Sequence, residues 1–192
     1  MKAVLISVRP KWCKKIAAGE KTVEVRKTVP KLEAPFKVYI YCTKGAPYLN
    51  WRNGICYLEP KDILGGHGPG TYRRLSGKVI GEFICNGCEC FTTDYRQNEE
   101  QTKRISLQSC VDMVSLMEYE AKSHCLYGWH ISDLRIYDNP KLLSDFRRSC
   151  VNDLYCESCA MHRNYTGDCG NAALKIIRPP QSWCYVEVEE DG

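Results

Sequence analysis

Residues 4–27, "VLISVRPKWCKKIAAGEKTVEVRK", constrain the fold more than any other stretch of the chain. "VLISV" is a short apolar run that reads as a strand. Pro10 is preorganised for the first turn of a helix, and Gly19 is a good residue to stop one. Between them Trp12, Cys13, Ile16 and Ala17 recur at helical spacing, with Lys11, Lys14 and Lys15 elsewhere on the helix. "TVEVRK" then alternates: Val23 and Val25 point one way, Thr22, Glu24 and Arg26 the other. The charges on that second strand are either an ordinary solvated face or the lining of a pocket.

Further along, "FKVYIYC" alternates too, with Phe36, Val38, Ile40 and Cys42 on one face and Lys37, Tyr39 and Tyr41 on the other. "GKVIGEFIC" (77–85) is another strand. Residues 44–76, rich in Gly and Pro and containing "GGHGPG", read as a long loop inserted between strands. Residues 92–110 are polar and read as irregular, and Asp112 can cap a short helix running to about Ala121. "YGWHI" and "LRIYD" read as two strands separated by "SD". "AALKIIRPP" and "WCYVEV" read as two closing strands around the "PPQS" turn. Many short strands with two short helices predict an α+β chain built on a small mixed β-barrel.

Charge separates the first quarter from the rest. Residues 1–52 hold 12 Lys and Arg against 3 Asp and Glu, a balance of +9; residues 53–192 hold 15 against 20, a balance of −5. A basic segment favours an anionic partner, of which a nucleic-acid backbone is the commonest. Solubility alone explains such a segment equally well. The chain of 192 residues is long enough for one domain with its own core. No apolar run approaches the roughly 20 residues that a membrane-spanning helix needs, and the first residues are too short for a secretory signal. The expected setting is therefore cytoplasmic, where the 13 cysteines point to metal or to free thiols more than to disulfides.

On these residues the chain resembles the ASCH domain family (activating signal cointegrator homology), part of the PUA-like superfamily. The family pattern is a strand, a helix and then G-x-K-x-x-E-x-R entering the second strand, here Gly19, Lys21, Glu24 and Arg26 in register. "GKVIGEFIC" is similar to the family's central barrel strand. "YGWHISDLRIYDNPKLLSDF" and "RPPQSWCYVE" resemble ASCH proteins of phages and prophages, so the resemblance also implies a bacterial or phage-encoded chain. It covers most of residues 1–146 and implies an ASCH/PUA-like barrel there, with 44–76 as a loop insertion; the residues themselves divide the rest into a Cys-rich C-terminal insertion at 147–172, read as a zinc knuckle, and closing strands and tail at 173–192.

What the resemblance implies for function is a pocket at the barrel mouth with the motif on its rim. An Arg can hold a phosphate or a base edge with two bonds, and a Glu can accept from a base amino group. Arg9, Lys21, Glu24, Arg26, Tyr41 and Lys44 form the expected ligand-binding set, with RNA or a modified nucleotide as partner. Trp12, Tyr39, Tyr48 and Trp51 can also stack on bases, although Trp12 and Trp129 read mainly as packing residues. Some ASCH proteins are amidohydrolases that remove the acetyl group of 4-acetylcytidine with a Lys, a Thr and a Glu. Lys21 matches their Lys and would act as the base, with Glu24 the other catalytic candidate. Glu24 stands where they have Thr, and their Glu falls near Glu118 or Glu120. A third reading is a protein-interaction module in which a zinc knuckle at 147–172 is the contact. His67 and His130 read as structural or solvent-facing.

Cys150, Cys156, Cys159 and Cys169 lie in a polar segment around a C-x-x-C pair. Four thiolates at such spacing suit one structural Zn²⁺, which would supply the folding energy that the segment cannot obtain by burial. His162 can replace one thiolate, and disulfides or free thiols remain as alternatives. "CNGCEC", with Cys85, Cys88 and Cys90, offers three thiols without an obvious fourth ligand, and Asn86-Gly87 suits a tight turn.

Overall fold

The computed structural model describes residues 2–60, 72–121, 123–150 and 171–187. The strand–helix–strand opening forms as its pattern predicts: β1 (Lys2–Val8), α1 (Pro10–Ala17) and β2 (Val23–Arg26). Next come β3 (Phe36–Cys42), β4 (Tyr48–Arg52), β5 (Ile55–Glu59), β6 (Tyr72–Arg74) and β7 (Val79–Phe91). Two helices, α2 (Tyr95–Ser109) and α3 (Met113–Glu120), precede β8 (Leu126–Lys141) and β9 (Trp183–Glu187). The larger sheet has six strands in the order β2-β8-β7-β3-β1-β9, in which β1 and β3 are parallel and the other neighbours antiparallel.

Both faces of this sheet are covered, so the alternation of β3 sorts two apolar sets rather than an apolar from a polar set. Val38, Ile40 and Cys42 join Val4, Ile6, Cys13, Ile16, Phe83 and Trp129 in the main core beneath α1. Tyr39 and Tyr41 turn to the opposite face, against Leu5, Phe146, Ile176 and Val186. A third cluster seats α2 and α3 on the outer face of β2 through Val23, Val25, Ile105 and Leu116. Trp129 is fully buried, with edge-on contact to Phe36 and a tilted contact to Trp183. Burying a side chain of that size contributes a few kcal/mol, and truncating it to Ala costs about 3–5 kcal/mol.

Several elements differ from expectation. The 44–76 region, expected as a loop, folds where it is described into a three-stranded sheet, β5-β4-β6. Its hairpin turns at Asn53 and Gly54, both with positive φ (49° and 84°), as a two-residue hairpin requires. Residues 95–109, expected as irregular, are α2, a mostly polar helix that buries only Thr102, Ile105 and Ser109 among its described side chains. β7 continues through "CNGCEC" with a bulge where a turn was expected, and β8 is one strand with Asp133 at φ 45° where two were expected. Among the described residues near the C-terminus only "WCYVE" is a strand; Ala172–Leu174 is a 3₁₀ turn and Lys175 makes an isolated bridge to Arg147.

The described strands do not close into a hydrogen-bonded barrel. Side chains span the gap between the edge strands β2 and β9 instead. Trp183 Nε1 donates to Thr28 Oγ1 at 2.9 Å, and Tyr185 Oη accepts from the Lys31 N–H at 2.7 Å. Arg26 makes the third bridge, described below. Among the described residues no helix is long and apolar enough to cross a membrane.

Candidate functional site

Local chain geometry delivers Lys21, Glu24 and Arg26 to one place. At the end of α1, Gly19 adopts φ +72°. Its N–H donates to Ile16 O, and the Glu20 N–H donates to Lys15 O, both at 2.9 Å. This pair of bonds is a Schellman stop, and it turns the chain so that β2 begins directly afterwards. Thr22 N donates to Gln108 O and Ile131 N donates to Thr22 O, which fixes the strand against α2 and β8. Val23 and Val25 then enter the cluster under the helices, so Glu24 and Arg26 face the opposite side, where Glu24 is paired across strands with Trp129.

All three residues are buried, with 2% (Lys21), 6% (Glu24) and 6% (Arg26) of their surface exposed, so they lie within the gap rather than on its rim. Glu24 sits between two cations: Oε2 is 3.3 Å from Lys21 Nζ and Oε1 is 3.0 Å from Arg26 Nη2. Lys21 donates to Ser109 O at 2.8 Å. Arg26 crosses to the other sheet edge, donating to Ser7 O at 2.7 Å and to Ser182 O and Oγ at 3.3 and 3.4 Å. The Lys21 ammonium also lies 5.4 Å from the centre of the Trp12 ring.

Two properties follow. One carboxylate between two cations leaves a formal charge of +1 in a buried place, where charge interacts strongly. The cluster's hydrogen bonding is also incomplete: Arg26 Nε is buried and makes no hydrogen bond among the described residues, and Glu24 Oε2 makes none beyond its ion pair with Lys21. A buried donor left without an acceptor is costly.

Tyr119 of α3, which the sequence did not single out, belongs to the same neighbourhood. Its phenol is pushed above its ordinary value chiefly by partial burial, while Arg26 and Arg9 pull it down and Glu24 pushes it up. Lys27 Nζ lies 4.9 Å over its ring. Tyr119 therefore sits within electrostatic reach of Glu24, Arg26 and the exposed Arg9 just before α1. A tyrosine between two glutamates in a polar stretch carries no sequence signal for this; only the packing of α3 on β2 reveals it. Deeper in, burial and the neighbouring Cys42 push the Cys13 thiol well up, with smaller influences from Glu24 and Arg26.

The other expected site residues lie elsewhere. Tyr41 is buried in the cluster on the opposite sheet face, because its parity on β3 sends it there. Lys44 is exposed and lies along the backbone of Gly77. Glu118 is exposed. Glu120 is buried and accepts from the Thr93 N–H and hydroxyl, so its carboxylate serves the loop after β7. His130 pairs with Glu89 at 2.8 Å. Cys150 is half-buried, with its N–H 3.4 Å from Glu187 Oε1; Cys156, Cys159, His162 and Cys169, like His67, lie outside the described residues. Among the described residues no three His, Cys, Asp or Glu side chains converge on a metal position.

No protein-family profile matches the chain, and no curated protein matches it by sequence. Solved structures do match it by fold. An ASCH protein from Zymomonas mobilis is 15% identical, with a TM-score of 0.54 over 96% of this chain and 87% of that one. A Tyr-to-Phe variant from that organism gives 15% identity and a TM-score of 0.55 over 97% and 91%. A Ser-to-Ala variant gives 14% and 0.54 over 96% and 88%. The chain thus shares the mixed α+β fold of ASCH-domain structures.

Proposed function

We propose that this chain is an ASCH-type module that binds RNA or a nucleotide in the gap bridged by Lys21, Glu24 and Arg26. The observation that carries the reading is the unfinished polar cluster. Arg26 Nε is a buried donor without a hydrogen bond among the described residues, Glu24 Oε2 makes none beyond its ion pair with Lys21, and the cluster carries a net charge of +1. A nucleobase edge offers the complementary donor and acceptor, and a phosphate offers the complementary charge. Trp12 and Tyr119 supply ring faces on which a base can stack, and Arg9 and Lys27 supply charge for the backbone. The fold shared with ASCH structures is consistent with the reading.

The amidohydrolase reading fits less well. Lys21 is engaged by Ser109 O and Glu24, and neither helix carboxylate completes a triad with it: Glu118 faces solvent and Glu120 holds Thr93. Incubating the chain with 4-acetylcytidine separates the two. Binding without release of acetate supports the module; turnover that Lys21→Ala abolishes replaces it with the enzyme.

The zinc expectation for Cys150, Cys156, Cys159 and Cys169 belongs to the same proposal as a structural staple. Metal analysis of protein purified without chelator tests it, with about one zinc per chain expected. Replacing Cys156 and Cys159 with Ser should remove that zinc; metal-free wild-type protein would refute the staple.

A further inference from the structure

In a regular strand, residues three apart point to opposite faces, so Cys85 and Cys88 would never meet. They meet here because β7 is bulged between them. Cys85 pairs with Ile131 and Cys88 with Trp129, so three steps along β7 match two along β8. The extra residue reverses the parity and brings both sulfurs to the core side, with Sγ atoms 3.6 Å apart. Cys85 is fully buried and Cys88 is half-buried. A Cβ on Gly87 would have open space around it, so packing against that glycine is not what shapes the bulge. Cys88 also sits in one cross-strand row with Trp129 and Glu24, two strands from the candidate site.

We propose that Cys85 and Cys88 form a modification site, a dithiol that takes a small-molecule disulfide as its two-electron oxidant and closes to a disulfide within the bulge. Position assigns the roles: Cys88 is the thiol that an oxidant can reach, and Cys85 is the thiol already beside it. The two thiols also hydrogen-bond to each other, and that bond holds the Cys85 thiol below its ordinary value and pushes Cys88 up, so the pair loses its first proton from Cys85 and keeps the other on Cys88. As the Cys85 thiolate takes that proton, Cys88 attacks one sulfur of the small disulfide. The bond between the two small-molecule sulfurs breaks, and one small thiolate departs with the Cys85 proton. Cys85, now a thiolate, attacks Cys88 Sγ and expels the second small thiolate. Two protein thiols are oxidised by two electrons, and one small disulfide is reduced to two thiols. The sulfurs need only close from 3.6 Å to the roughly 2.05 Å of a disulfide. Cys13 and Cys42 also interact, but both are fully buried, out of reach of such an oxidant.

The experiment uses the reduced full chain and oxidised glutathione. Samples are quenched with an alkylating reagent at intervals and mapped by peptide mass spectrometry. The expected product at this pair is a Cys85–Cys88 disulfide, which dithiothreitol reverses. In Cys85→Ser the resolving thiol is gone, so glutathione should remain attached at Cys88. In Cys88→Ser the link should be lost and Cys85 should stay unmodified. Recovery of Cys85 and Cys88 as alkylated free thiols, after exposed cysteines such as Cys90 have reacted, would overturn the proposal. So would failure of Cys85→Ser to trap glutathione at Cys88.

Discussion

Two clusters in this molecule share a plan and differ in character. Each sets one glutamate between two basic side chains. Glu24 lies between Lys21 and Arg26, with at most 8% of any of the three side chains exposed. Glu89 lies between Arg104 and His130, with side-chain exposures of 22%, 43% and 37%. The outer cluster is complete. Arg104 grips both carboxylate oxygens at 2.9 and 2.7 Å, Gln101 adds a bond at 3.1 Å, and His130 Nε2 is 2.8 Å away. The inner one spans a gap between sheet edges and, among the described residues, leaves Arg26 Nε without a hydrogen bond and Glu24 Oε2 with none beyond its ion pair with Lys21. A finished polar cluster near solvent fastens α2 to the sheet. The cluster in the desolvated gap is the one on which the proposed binding site rests.

Stability should separate the clusters most sharply. Arg26→Ala removes one partner of a buried ion group and two edge-to-edge bridges, which should cost about 3–5 kcal/mol. Arg104→Ala breaks a half-exposed pair and should cost about 1 kcal/mol or less. Urea denaturation of the two variants measures the difference; equal losses would erase the distinction drawn here.

A smaller effect is expected in acid. Arg104 beside it, and Gln101 as a further donor, hold the Glu89 carboxyl down to about 2. A depressed carboxylate adds stability above its unfolded value of about 4.3 and loses it as pH falls toward the folded value. The Glu89 contribution should therefore fade between about pH 4.5 and 2. With a half-exposed partner it is worth on the order of 1 kcal/mol after screening. Glu89→Gln should flatten that part of the stability–pH curve, and an unchanged curve would show that Glu89 is not held as described.

Salt should give the smallest difference. Raising ionic strength from 0.1 to 1 M shortens the Debye length from about 10 to 3 Å. It should shrink the Arg104→Ala loss by a few tenths of a kcal/mol at most and leave the Arg26→Ala loss unchanged. Denaturation of both variants at the two salt concentrations checks this.

Much of the inner cluster was legible in the sequence, because it rests on local rules. Pro10 and Gly19 bound the helix, the alternation of "TVEVRK" sets Glu24 and Arg26 on one face, and the spacing from Gly19 brings Lys21 beside them. Burial was not legible, since it depends on what covers the strand: Ser7 and Ser182 come from the opposite sheet edge, and Ser109 from the end of α2. The same limit hid Tyr119 and misassigned Tyr41, whose parity was right but whose face belongs to a second core. The 44–76 sheet is a different case. Asn53-Gly54 between "YLNWR" and "ICYLE" is a hairpin signal, obscured by the glycines and prolines around it. Helix α2 escaped notice because its described buried contacts are few and two of the three are polar.

The central claim, that the inner cluster is a binding site and the outer one a fastener, is tested most directly by one titration. A fluorescent single-stranded RNA of mixed sequence is titrated with the wild-type chain, Lys21→Gln and Arg104→Gln, each first confirmed as folded by circular dichroism. The account predicts binding by the wild type that weakens with salt, with a slope of log affinity on log salt of about −0.7 for each phosphate contacted. Lys21→Gln should lower affinity at least tenfold, about 1.4 kcal/mol, while Arg104→Gln should bind as the wild type does. Equal affinity for all three proteins, or no binding by the wild type at low salt, would contradict it and leave Lys21, Glu24 and Arg26 as a clasp that only holds the sheet edges together.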